Sequence, residues 1–160
     1  MSAAESHPKL SAVRTHLREL HRFLLALLKK EREGSLGKTL QAAEWFQILL
    51  AAPEYQWLKP LNSLLSDLDA LSEHAQVSGA DLIIVRLELE RFFFKEDGDV
   101  TSFNFHYRKL FKNHHDVMFI HGQLRQAFAE LPHTVTPPSN AESVRLGWHK
   151  TGASKRKLLN

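Results

Sequence analysis

The sequence predicts an all-α fold, a single-domain bundle of five or six helices over residues 8–131 with a flexible basic C-terminal tail. Three observations carry this expectation. Apolar residues recur at steps of three and four along most of the chain. The one β-prone run, Leu82 to Val85, continues into the same spacing and so favours helix over a short strand. Proline, glycine and small polar clusters fall between the periodic stretches.

Taken in order, residues 1–7 are polar and expected to fray. Pro8 opens a helix whose apolar positions Leu10, Val13, Leu17, Leu20, Leu24, Leu27 and Leu28 hold one face until Gly34 ends it. Arg14, Arg18 and Arg22 line its flank, either as a solvated face with Glu19 or as a stripe for an anionic partner. After the connector GSLGKT, Thr39 is the expected N-cap of a second helix from Leu40 to about Ala51. The densest apolar stretch, from Trp45 to Asp69, then organises the rest. Pro53 and Pro60 each suit a helix's first turn, which gives a short helix, a corner and a longer helix whose buried face is Leu61, Leu64, Leu65, Leu68 and Leu71. Trp57 is expected to plug the corner as a core residue.

Ser78 or Asp81 starts a fourth helix through Leu82, Val85, Leu89, Phe92 and Phe93. Thr101 or Ser102 caps the next element. There Phe103, Tyr107, Leu110, His114, Val117, His121, Leu124, Phe128 and Leu131 form a seam of heptad spacing. Poorer helix formers at Asn113, His114 and His115 leave open one long helix or two with a kink. Pro132 closes the bundle, and residues 132–160 read as a Pro-containing linker and mobile basic tail.

The 160 residues suffice for one domain with a substantial core. The absence of cysteine excludes disulfides, zinc–thiolate sites and cysteine nucleophiles. No signal peptide or membrane-length apolar run is seen, so a cytoplasmic protein without membrane insertion is expected. The net charge of +3 is uneven: residues 132–160 hold five basic residues and one acid, the remainder sixteen basic residues and seventeen acids. A basic patch on the body is therefore not implied, and nucleic-acid binding is open only to the tail.

Ten histidines raise the question of a metal site, yet no two stand three or four residues apart. His114 and His121 are two turns apart, about 10.5 Å along a helix axis, too far for one ion with bonds of about 2 Å. The only Glu-x-x-His string, Glu130 to His133, is interrupted by Pro132, and no HExxH occurs. A site assembled across helices from His21, His121 and Asp67 stays open, but no metal or cofactor is assigned. An imidazole on an apolar face needs a polar partner, so His121 marks either a network that fixes helix register or a small polar pocket. The candidate ligand-binding residues are His21, Asp67, Asp69, Tyr107, Arg108 and His121. Arg108 and His114 echo the arginine–histidine pair of HEPN-type helical nucleases, but this composition produces such spacing about twice by chance. The sequence after His121 does not fit a histidine phosphotransfer site, and nucleophile elbows and phosphate-cradling glycine loops are absent. No catalytic residue is assigned.

Two features suggest contact with other proteins. Phe92 to Phe94 cannot all face inward on one α-helix, so Phe93 and Phe94 are candidate partner-binding residues. In the tail, an aromatic residue is unusual for a solvating segment; Val144 to His149, with Arg145 and Trp148, reads as a docking motif for a partner or for the protein's own body. Lys155, Arg156 and Lys157 add a basic cluster suited to an acidic surface or nucleic acid.

Glu19 to Arg32, the corner from Trp45 to Asp69, and His106 to Arg125 together resemble an uncharacterised family of small bacterial all-helical proteins. Trp57-Leu58-Lys59-Pro60-Leu61 is the most specific part, and relatives often have arginine where Lys59 stands. Relatives carry Asp-Pro at the position of His114-His115, which favours the kink. The resemblance implies a helical domain in a bacterial cytoplasm, with His21, Trp57, Asp69, Tyr107, Arg108 and His121 at family positions, and no activity. The reading that follows is a non-catalytic adaptor or regulatory protein-interaction module, acting through the bundle surface or the tail, with a homo-oligomer compatible. The alternative is a ligand- or metal-binding bundle, or an enzyme, with a pocket around His21, Asp69, Arg108 and His121.

Overall fold

A computed structural model describes residues 3–95, 99, 102–136 and 138–149. Among the described residues there are seven α-helices and no strand: α1 (Ala3–Leu36), α2 (Ala42–Ala51), α3 (Lys59–Ser72), α4 (Gly79–Leu89), α5 (Phe103–Asn113), α6 (His115–Ala129) and α7 over 141–149. A 3₁₀ segment, Pro53–Leu58, joins α2 to α3, and a π-helical turn, Glu90–Phe94, extends α4. The all-α class stands; the helix count exceeds the expected five or six.

The spine is α1, whose 34 residues span about 51 Å. Leu10, Val13, Leu17, Leu20 and Leu24 on its inner face are essentially inaccessible. Helices α3, α4 and α6 pack along it. Each such leucine withdrawn from water contributes about 1.5–3 kcal/mol before entropy is counted. Both ends of α1 lie beyond those expected. Residues 3–7 are helical rather than frayed, and Ser6 is fully buried. Pro8 lies within the first two turns, where its missing N–H forfeits a single ladder bond.

Gly34 does not end α1; Gly37 does, at φ +70°, with the Gly37 and Lys38 amides donating to the Glu33 carbonyl at 2.9 and 3.2 Å. A side chain at Gly37 would meet no neighbour, so only the left-handed backbone resists substitution. Gly37→Ala is accordingly expected to lower unfolding stability by about 1 kcal/mol, read as a shift in the urea midpoint. An unchanged midpoint would show that this turn relaxes freely.

Thr39 does not cap α2. Gln41 is the N-cap, and its amide donates to the Glu44 carboxylate at 3.2 Å. Pro53 and Pro60 both open helical segments as their chemistry requires, and Leu61, Leu64, Leu68 and Leu71 form the buried face of α3. Trp57 is half-buried rather than sealed in the core. Its ring packs on Phe103 and stacks on His106 at 5.1 Å between centroids.

Ser78 caps α4 reciprocally: its hydroxyl accepts from the Asp81 amide, and the Asp81 carboxylate accepts from the Ser78 amide. Ser102 caps α5, while Thr101 lies outside the described residues. The heptad seam is two helices, broken at His114, whose φ −134° and ψ 113° are extended. Six seam residues, Phe103, Tyr107, Val117, His121, Leu124 and Leu131, are buried.

Candidate functional site

Two constructions outside the leucine core bring polar chemistry together. The first holds the C-terminal segment. Instead of hanging free, 141–149 form α7 and lie on α3 and α4. Trp148 is 3% exposed, and its indole N–H donates to Asp81 Oδ1 at 3.0 Å. His74 Nε2 lies 2.8 Å from the Trp148 carbonyl; a carbonyl only accepts, so this nitrogen carries the hydrogen. Arg145 Nε donates to Asp67 Oδ2, and its Nη1 donates to Glu88 Oε2 at 2.5 Å. His149 Nε2 meets the other oxygen of Asp67.

Asp67 and Arg145 are largely shielded from water, at 10% and 15% side-chain exposure. The groove is built by helix register. Asp67 lies on α3 between Leu64 and Leu68, at the edge of the leucine face, while Asp81 and Glu88 are two turns apart on α4. Asp81 both caps α4 and anchors Trp148. The tail expectation is thus corrected over 141–149, where a mobile segment is replaced by a docked helix. Lys155, Arg156 and Lys157 lie outside the described residues.

The second construction lies where α5, α6 and the π turn meet. Phe93, Phe94, Tyr107, Arg108, Phe111, His121 and Arg125 line a cavity of about 150 Å³. The Tyr107 hydroxyl is 2.7 Å from His121 Nδ1. Burial pushes the tyrosine's pKa up, while burial and then the Arg125 and Arg108 charges hold that of His121 down at about 4. Both groups are therefore neutral near pH 7. The phenol is the stronger acid and the imidazole the stronger base, so Tyr107 donates to Nδ1 and the hydrogen of His121 sits on Nε2.

Around this pair Phe94 approaches the His121 ring at 5.0 Å and Phe111 at 4.6 Å. The Arg125 guanidinium lies 4.8 Å from the Phe94 centroid. Arg108 Nε is buried without a hydrogen-bond partner.

Phe93 and Phe94 therefore do not form an exposed partner surface. The wider π turn carries Phe92 and Phe93 inside, each 3% exposed, and leaves Phe94 half-buried against Phe128 at 4.5 Å. The Asn104 amide donates to the Phe92 carbonyl at 2.8 Å and ties α5 to the turn.

The expected His21–Asp69–Arg108–His121 pocket is divided. Asp69 accepts from Arg14 Nη2 at 2.8 Å and from Arg18 Nη2 at 2.5 Å. Burial alone would raise the pKa of this carboxyl; the two arginines outweigh that and hold it below its ordinary value. The arginine stripe is thus partly consumed within the fold. His21 is half-buried and hydrogen-bonded to Asn62, with its pKa lowered by burial against that bond's opposite pull. Asp67 belongs to the α7 groove. Only Tyr107, Arg108 and His121 come together, joined by Arg125 and Phe111, which the sequence reading missed. Arg125 follows His121 by one helical turn, a spacing that could have disclosed it. His21, His121 and Asp67 do not assemble as ligands, and no group of three or more His, Cys, Asp or Glu suited to a metal occurs among the described residues.

No helix of the described residues is long and apolar enough to cross a membrane. No family model, curated protein or solved structure matches this chain.

Proposed function

We propose that this protein is a non-catalytic regulatory interaction module, with the cytoplasm as its compartment. Its acidic groove on α3 and α4 receives a basic, aromatic helical segment. In the resting chain that segment is its own α7; in the engaged state a partner protein presents one of like chemistry and α7 is displaced. The observation carrying this reading is the seating of Arg145, Trp148 and His149 against Asp67, Asp81, Glu88 and His74, groups distant in sequence. A buried aromatic anchor flanked by charge pairs is the pattern of an energetically dominant binding contact. Tethering raises the local concentration of α7 to the millimolar range, which makes the groove selective against weak competitors. Phe46 and Leu50, exposed and one turn apart on α2, offer additional apolar surface to a protein partner.

The test is competition. A labelled peptide of residues 141–160 is titrated against the intact chain and against an Arg145→Glu/Trp148→Ala variant whose arm no longer fits. The variant is expected to bind at least tenfold more tightly, because its groove is vacant. Parallel pull-downs from nuclease-treated lysate should recover protein partners with the variant that the closed chain misses. Equal, weak peptide binding to both chains, together with empty pull-downs, would remove the reading.

A further inference from the structure

We propose that the cavity between α5, α6 and the π turn is a binding site for a small aromatic carboxylate, with the ring between the phenylalanine walls and the carboxylate on Arg108 and Arg125. The site is separate from the α7 groove and does not depend on it.

The sign of the ligand follows from the lining. Two guanidinium groups border the cavity and none of its lining residues is acidic. Arg86 shows how this fold satisfies an arginine it uses structurally: Nη1 donates to the Phe128 and Leu131 carbonyls at 3.0 and 2.9 Å. Arg108 differs, because its Nε is buried with no acceptor. That nitrogen has no surface a ligand could touch, so an anion at the cavity would pair with the Nη donors of the same guanidinium, which meet no hydrogen-bond acceptor among the described residues. His121 adds a neutral Nε2–H donor to the same wall, held in that tautomer by Tyr107.

Size and shape select the remainder of the molecule. A cavity of 150 Å³ has room for about five waters, and apolar cavities of about this volume admit one benzene ring. Phe93, Phe94 and Phe111 present aromatic surfaces, which favour a flat π-system over a hydrated tetrahedral anion. Arginine matches a planar carboxylate through two parallel N–H donors. Inorganic phosphate would satisfy the charge and leave the aromatic walls uncovered.

Benzoate is the probe, titrated calorimetrically into the full chain at pH 7 alongside acetate, inorganic phosphate and benzyl alcohol. For a nine-atom ligand a dissociation constant of roughly 0.1–1 mM is expected. Acetate, phosphate and the uncharged alcohol should each bind at least tenfold more weakly. Arg108→Gln should weaken benzoate at least tenfold, and Arg125→Gln, at the exposed rim, should weaken it less. Far-UV dichroism of both variants establishes that they fold. Should Arg108→Gln fail to fold, Phe111→Ala serves in its place, because loss of a ring wall must weaken benzoate more than acetate. No benzoate binding at 10 mM, equal binding of phosphate or acetate, or unchanged affinity in a folded Arg108→Gln chain would each overturn the proposal.

Discussion

Replacing Asp67 with alanine is expected to release α7 while the bundle stays folded. Asp67 receives Arg145 on one oxygen and His149 on the other, so one substitution removes both contacts. Arg145 would then rely on Glu88, a carboxylate already shared with Arg91 at 2.8 Å. Removing one partner of a buried ion pair costs about 3–5 kcal/mol while the other stays buried. Here a ceiling applies: once α7 lifts away, Arg145 regains water, so the loss cannot exceed the free energy that docks the helix. Burial of Trp148 and the pairing around it set that ceiling at about 3 kcal/mol. Amide exchange over 141–149 should therefore accelerate roughly hundredfold, and Trp148 emission should shift red, with the helical dichroism of α1 to α6 retained. Glu88→Gln leaves the Arg145–Asp67 pair in place and should accelerate exchange far less. If Asp67→Ala leaves both the exchange and the emission unchanged, the charge pairs do not hold the arm.

The arm also shows what local sequence can reveal. Trp148 in the tail betrays a docked segment, because an aromatic side chain of that size has little place in a solvating one. Its receptor is not legible. Asp81 reads only as a helix cap, and Glu88 and His74 carry no local signal; they become a groove because α3 and α4 set them beside one another. The helices themselves are legible wherever apolar spacing is long and regular, as from Leu10 to Leu28 or from Phe103 to Leu131. Their ends are less so. Pro8 resembles a start and Gly34 a stop, but packing carries α1 upstream to bury Ser6, and the left-handed position falls at Gly37.

Phe92 to Phe94 mislead for a related reason. Three consecutive aromatic residues cannot all turn inward on a regular α-helix, and the chain resolves the conflict by widening to a π turn, an adjustment invisible in three-four spacing. His21 and Asp69 are grouped with Arg108 and His121 only because all four are polar residues on inward or marginal positions. Arg14 and Arg18 on α1 claim Asp69, whereas Tyr107 claims His121.

His121 should give the protein a pH-dependent stability that a single neutral substitution flattens. Its folded pKa is held down at about 4, by burial first and by the Arg125 and Arg108 charges next, whereas an unfolded histidine titrates near 6.5. Between these values the unfolded chain binds more protons, so stability falls as pH falls through this window. The contribution is present in full above pH 6.5 and has been lost by about pH 4. Its size is about 2–3 kcal/mol, most of it spent between pH 6 and pH 4.5.

His21, also lowered by burial, adds a loss of the same sign. Asp69 acts only at lower pH, since its depressed pKa gives stability that persists until the carboxylate protonates. The clean measurement is therefore a difference. His121→Gln keeps an acceptor for the Tyr107 hydroxyl and cannot titrate, so urea midpoints of the two chains at pH 7, 6, 5 and 4.5 should converge as the acid form of the unfolded wild type gains ground. Glutamine is the less stable chain at pH 7, by the imperfect replacement of the imidazole, and should match or exceed the wild type by pH 4.5. Parallel pH profiles, with a constant gap between the chains, would mean that His121 takes up a proton as readily in the folded protein as in the unfolded one.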